Sequence, residues 1–153
     1  ELLIPQATVL TPNSIEAHRL INDNDHMFSL EQCAHELVDM GCENVLITGT
    51  HENTAQVVNT LINSSGIVRL DTWERFEQSY HGSGCTLASA IAASIARGLT
   101  VEESVYYAQE YTWQTINSGF RPGMGQHLPN RLFWGAYDGS SAQAKAKSKG
   151  AKE

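Results

Sequence analysis

The stretch His81-Gly82-Ser83-Gly84-Cys85-Thr86 concentrates the residue types best suited to chemistry, two glycines around one small residue ahead of an apolar helical pattern. Glycines let the backbone turn tightly and leave several N–H groups uncovered, and the helix that follows adds its positive end at the same point. Amides gathered in this way suit a phosphate, or charge that develops in a transition state. Cys85 falls in the first turn, so a thiol stands beside the same amides. A plainer role is also open, in which Gly82 and Gly84 only permit close packing of helix against strand.

Two further segments end strands. Asn13-Ser14-Ile15-Glu16 places an amide and a carboxylate three residues apart at a helix start, beside the C-terminal end of a short apolar run. Ligands of open α/β sheets bind at that position, and the pair could hold Mg²⁺ through waters. The same N-x-x-E spacing is a capping box, which is the simpler explanation on pattern alone. Ile47-Thr48-Gly49-Thr50-His51 offers hydroxyls and a glycine at the end of a second apolar run. Neither Walker A nor GxGxxG is present, His spacing fits no HExxH, and G-S-G-C-T is not a nucleophile elbow because its Ser follows Gly directly.

The elements that must position these residues follow from periodicity. Ala7-Thr8-Val9-Leu10 and Asn44-Val45-Leu46-Ile47-Thr48 read as buried strands. Helices are expected from Asn13-Ser14 to about Ile21, from Ser29 with its Gln32 partner to Gly41, and from Thr100 with Glu103 to about Ser118. Val57–Ile62 and Ile67–Trp73, separated by Asn63-Ser64-Ser65-Gly66, predict a hairpin. Leu87–Arg97 is Ala- and Ile-rich on nearly every side, which predicts a central, buried helix. The pattern is α/β, yet only two runs look like parallel-sheet strands, so the sheet is expected to be incomplete.

Composition narrows the function. The 153 residues are 41% apolar and 18% charged, with a formal net charge of −7, which is ordinary for one globular domain. All four lysines lie after Gly139, so residues 1–138 carry six arginines against sixteen acids. A body this acidic lacks the basic footprint of a non-specific nucleic-acid binder. The low-complexity Lys/Ala/Ser stretch over 139–153 is expected to be disordered. Three cysteines without CxxC spacing argue against a disulfide framework and suit a reducing cytoplasm, and no apolar run is long enough for a membrane helix. The chain opens Glu1-Leu2-Leu3-Ile4 without Met, from which processing or a truncated start is expected.

Taken in order, the segments resemble the C-terminal half of the ribokinase-like small-molecule kinases, and hydroxymethylpyrimidine/phosphomethylpyrimidine kinases among them. Thr11-Pro12-Asn13-Ser14-Ile15-Glu16-Ala17 is similar to TPNxxEA, Val45–His51 to VLxKGGH, and His81–Leu87 to HGTGCTL. Gly123-Met124-Gly125-Gln126-His127-Leu128-Pro129 is similar to the terminal GKGxGP. The likeness runs from about residue 5 to 134, and its most specific element is HGSGCTL, since the cysteine position is Asp in ribokinases and many sugar kinases.

The resemblance implies a partial ribokinase-like open sheet with flanking helices over 1–138, the N-terminal half being absent. It implies ATP-dependent phosphorylation of hydroxymethylpyrimidine and then of its monophosphate, in thiamine biosynthesis. The Gly82-Ser83-Gly84-Cys85 amides would stabilise the transferring phosphoryl group, and Cys85 would meet the substrate hydroxyl. Asn13 and Glu16 would organise phosphates and Mg²⁺, with Thr48, Gly49 and Thr50 bordering ATP. Thr48 replaces the family's lysine, leaving charge compensation to Mg²⁺, the helix end and an arginine. Little or no turnover is expected of the chain alone. A pyridoxal kinase-like enzyme and a non-catalytic nucleotide-binding or regulatory module are the alternatives, and homo-oligomerisation is left open.

Overall fold

The computed structural model describes residues 2–135, so the Lys-rich stretch lies outside the described residues. Its helices are α1 (Ser14–Leu20), α2 (Leu30–Asp39), α3 (Ser83–Ala96) and α4 (Val101–Asn117). All but α3 start at a complete capping box. Asn13, Ser29 and Thr100 each accept the amide three residues on, while Glu16, Gln32 and Glu103 reach back to the cap's own amide. Two otherwise orphaned N–H groups are satisfied at each start. Thr100→Ala removes both the cap acceptor and the hydroxyl that donates to Glu103 Oε2 at 2.8 Å. We expect it to lower stability by about 1 kcal/mol, read as a reduced urea midpoint at unchanged m-value.

Strands β1 (Asn44–Thr48), β2 (Gln56–Asn63) and β3 (Gly66–Glu74) form an antiparallel sheet in that order. The expected hairpin is β2–β3, closing over Ser64-Ser65. The expected first strand is reduced to a bridging segment. It runs parallel to β1 through Leu10–Val45 and Asn13–Thr48 bridges, without a continuous ladder. Leu10 N donates to Asn44 O, Leu46 N to Leu10 O, and Thr48 N to Pro12 O, at 2.8 to 2.9 Å. Pro12 has no N–H to donate and fixes φ, so the segment pairs only through its carbonyl there and turns into α1 after the Asn13–Thr48 bridge.

β1 is buried on both faces, as its unbroken Val-Leu-Ile run predicts. Val45 and Ile47 pack with Ile62 against Ala17 of α1 and Cys33, Ala34 and Leu37 of α2. Leu46, pointing the other way, packs with Leu61 against Leu87 and Ile91 of α3 and Val105 and Ala108 of α4. The sheet thus separates two helical pairs, an α/β arrangement with flanking helices as expected from the sequence.

Burial of α3 differs from expectation. Thr86, Leu87 and Ile91 are buried, but Ala88, Ala92, Ala93 and Ala96 are exposed. Packing on α4 covers one side only. The uncovered apolar side borders a groove of about 400 Å³ shared with Thr8, Val9 and Thr11. No described helix is long and apolar enough to cross a membrane.

Candidate functional site

The chain enters α3 from a short strip held against the C-terminal segment. His81 N donates to His127 O and His127 N to Ser79 O, while Phe120 and Leu128 exchange both backbone bonds. Gly82 follows as the helix cap with φ +88°, a left-handed conformation that L side chains resist. Helix α3 begins at once, at Ser83, four residues before the apolar run that marked it in the sequence.

This early start leaves the amides of Gly82, Ser83, Gly84 and Cys85 without any acceptor among the described residues. Thr86 is the first to bond back, to Gly82 O at 3.0 Å. Gly84 and Cys85 are exposed, and a Cβ on Gly84 would meet nothing within 4 Å. The cradle expected from the sequence therefore exists as open, uncommitted N–H groups at a helix N-terminus.

Arg131 is the residue that sequence reasoning missed. Its Nε donates to Thr86 Oγ1 at 2.9 Å, and Thr86 Oγ1 in turn donates to Gly82 O at 2.8 Å. The guanidinium Nη2 lies 3.4 Å from Gly82 O and 2.9 Å from where a Gly82 Cβ would stand. Anchors on α4 place it there: Asn130 N bonds Thr115 O and Tyr111 Oη bonds Arg131 O. No carboxylate pairs with Arg131 among the described residues. A cation beside the positive end of a helix runs against the usual preference, so two positive potentials converge with no counter-charge.

Thr48 ends β1, and Gly49–His51 form a 3-10 turn. Gly49 departs from the sequence expectation of a flexible residue facing a ligand. It is buried, its amide donates to Asn59 Oδ1 at 3.1 Å, and its Cβ position lies 2.3 Å from Val58 O. A chain of side chains fixes the turn. Asn59 Nδ2 donates to Gln109 Oε1 at 2.8 Å, Trp73 Nε1 donates to the same oxygen, and Gln109 Nε2 donates to Asp71 Oδ2. Arg69 Nε closes the chain on Asp71 at 2.7 Å, and that hydrogen bond holds the guanidinium pKa above its ordinary value. Arg75 clamps the turn from outside by donating to the carbonyls of Gly49, Thr50 and Thr54. Nothing in residue spacing announces this network, because its bonded partners are up to 50 positions apart.

The Asn13–Thr48 bridge sets Asn13 beside the β1 end. Asn13 Oδ1 and Glu16 Oε2 are engaged in the capping box, each at 2.9 Å, while Glu16 is exposed with Oε1 unbonded among the described residues. That free oxygen suits a cation reached through water. A cavity of about 460 Å³ brings Thr50 and His51 together with Ser83, Tyr80, Gln109 and Trp113, a volume in the range of small-molecule sites. Asn13, Glu16 and Cys85 lie outside its lining.

Comparison with known proteins matches this geometry to one lineage. The family model described as phosphomethylpyrimidine kinase matches residues 1–130. The chain is 31% identical over 131 residues to a hydroxymethylpyrimidine/phosphomethylpyrimidine kinase of Rhizobium meliloti, covering 82% of this chain and 48% of that one. A Bacillus subtilis pyridoxine kinase is 32% identical over 127 residues, covering 78% and 45%. The pyridoxal kinase from Staphylococcus aureus in complex with ADP superposes with a TM-score of 0.80 at 27% identity, covering 88% of this chain and 50% of that one. The chain spans about half the length of each of these relatives. With the family model matching nearly the whole described fold, the chain belongs to the phosphomethylpyrimidine kinase family.

Proposed function

We propose that this chain carries the phosphate-binding half of an ATP-dependent kinase that phosphorylates hydroxymethylpyrimidine and its monophosphate. The supporting observation is the set of free amides over Gly82–Cys85 with the Arg131 guanidinium beside them. Phosphoryl transfer depends on positioning and on neutralising spread charge. The amides donate to the phosphoryl oxygens, and Arg131 supplies the positive charge that Thr48 no longer provides. Cys85, exposed in the first turn, orients the acceptor hydroxyl or takes its proton. Asn13 and Thr48 to Thr50 border the triphosphate, the cavity next to Ser83 receives the rest of the nucleotide, and Gly49 acts through the shape of its turn. Glu16 holds Mg²⁺ through water, and the ion supplies further neutralisation of phosphate charge.

The test is product formation from ATP, Mg²⁺ and hydroxymethylpyrimidine, with pyridoxal as a parallel acceptor because pyridoxine kinases are comparably similar. It is run on this chain and on the longer polypeptide expected to carry it. Pyrimidine phosphate from the longer polypeptide is expected. Pyridoxal phosphate alone shifts the substrate to the alternative, and ATP binding without either product favours a regulatory module. Arg131→Gln in the active polypeptide is expected to lower kcat about 10²-fold, the usual effect of removing one preorganised charge-stabilising donor. An unchanged kcat removes Arg131 from the site.

A further inference from the structure

A second cluster lies between α1 and α2, outside the phosphate site. After Leu20 the chain folds back, and Asn22 (φ 60°) and His26 (φ 52°) are the non-glycine residues held at positive φ among those described. Both flank Asp23, and Asn and His are among the non-glycine residues that adopt the left-handed region where a chain turns back on itself. The fold-back turns the Asp23 carboxylate inward, 8% exposed, between His18 (7%) and Cys33 (0%). His26 lies over His18 with ring centroids 4.2 Å apart.

Three different donors converge on one point. His18 Nδ1 is 2.8 Å from Asp23 Oδ2 and 3.4 Å from Cys33 Sγ, and the three ligand atoms lie within 4.8 Å of one another. Asp23 also accepts the Met27 amide at Oδ1 and the Phe28 amide at Oδ2. One imidazole nitrogen carries a single proton or a single lone pair. It therefore cannot satisfy carboxylate and sulfur in two full hydrogen bonds. An ion between the three would give each donor its own bond.

We propose that His18 Nδ1, the Asp23 carboxylate and Cys33 Sγ form a binding site for a borderline divalent metal of the Zn²⁺ class, with His26 or a water as the fourth ligand. Thiolate, imidazole and carboxylate together select Zn²⁺ or Co²⁺ over Mg²⁺. Bonds of about 2.0–2.3 Å in a tetrahedron separate ligands by roughly 3.3–3.7 Å. The Cys33–His18 distance already fits, and the Asp23–His18 contact opens by about half an ångström as the metal replaces the hydrogen bond. On binding, the Cys33 S–H bond breaks, the S–metal bond forms, and the proton leaves to solvent. The His18 Nδ1–H bond that donates to Asp23 also breaks, the ring taking up a proton at Nε2 from solvent in exchange. The Nδ1 lone pair thus binds the metal, and the net release is the one thiol proton.

Co²⁺ titration in excess Mg²⁺ tests this directly. One equivalent is expected to give a sulfur-to-cobalt charge-transfer band with the visible bands of tetrahedral Co²⁺, bleached by one equivalent of Zn²⁺. The band should vanish in Cys33→Ser and persist in Cys85→Ser. Zn²⁺ should raise the Tm of the unsubstituted chain, and His18→Gln should weaken Zn²⁺ binding more than about tenfold, or 1.4 kcal/mol. His18→Gln decides the matter if circular dichroism shows Cys33→Ser unfolded. No charge-transfer band at stoichiometric Co²⁺, a band lost with Cys85, or His18→Gln binding Zn²⁺ as tightly as the unsubstituted chain overturns the site.

Discussion

Gly49→Ala is expected to destabilise the chain by about 3 kcal/mol, the upper part of the usual range for forcing a methyl into a packed interior. The added Cβ would stand 2.3 Å from Val58 O and 3.1 Å from Val58 N. Both are backbone atoms of β2, which is paired with β1 on one side and β3 on the other. A flexible side chain could swing aside, but a backbone carbonyl of a strand paired with β3 at Val58–Thr72 cannot do so without moving the strand. Relief must come from moving the 49–51 turn, which breaks the Gly49–Asn59 bond and leaves Asn59 Oδ1 buried without that donor. With total stabilities of 5–15 kcal/mol typical, a loss of about 3 kcal/mol is large. Urea unfolding measures it, with Gly84→Ala as the control, since no atom lies within 4 Å of that Cβ position. A Gly49→Ala chain as stable as its parent would mean that the turn yields easily and that glycine is needed there for a ligand's approach.

What could be read from the sequence was local. The three caps rest on side chains three residues from their partners, so Asn13–Glu16, Ser29–Gln32 and Thr100–Glu103 were visible in spacing alone. The hairpin and the Val45-Leu46-Ile47 core strand followed from β-prone runs and the turn residues between them. The uncommitted amides at the start of α3 were legible for the same reason, because they are consecutive. Long-range polar contacts were not. Arg131 meets Thr86 across 45 positions, and Gln109 meets Asn59 across 50. The His18–Asp23–Cys33 cluster follows no metal-binding spacing, since a fold-back after α1 brings Asp23 inward. Helix α3 misled in the opposite direction. An apolar surface all round signals a helix covered all round, and in this chain α4 and the sheet cover one side, leaving Ala88, Ala92 and Ala96 on an open groove. In the short Val9-Leu10 run, Leu10 bridges to β1 and packs with the α1–α2 cluster, while Val9 lines that groove.

Gly84→Asp separates folding from function more sharply than any other change. Its Cβ position is open, and an acidic residue in the first turn of α3 is favoured by the helix dipole. The variant should therefore melt at the temperature of the parent or slightly above it. The same carboxylate would occupy the cradle, accept from the amides proposed to bind phosphate, and sit within a few ångströms of a bound phosphate's charge. Two unit charges about 4 Å apart near a protein surface repel by about 4 kcal/mol. Affinity for Mg·ATP is accordingly expected to fall by about 10²–10³-fold, at 1.4 kcal/mol for each factor of ten. Gly84→Asn matches the shape without the charge and should lose only about tenfold, its lost factor reflecting size and competition for the amides. Calorimetric titration of the longer polypeptide with Mg·ATP, set beside the melting curves, reads all three values. Equal losses in the Asp and Asn variants would mean that crowding, rather than electrostatics, governs the site. Undiminished affinity in Gly84→Asp would place the terminal phosphate somewhere other than the start of α3, and would remove Arg131 from its neutralisation as well.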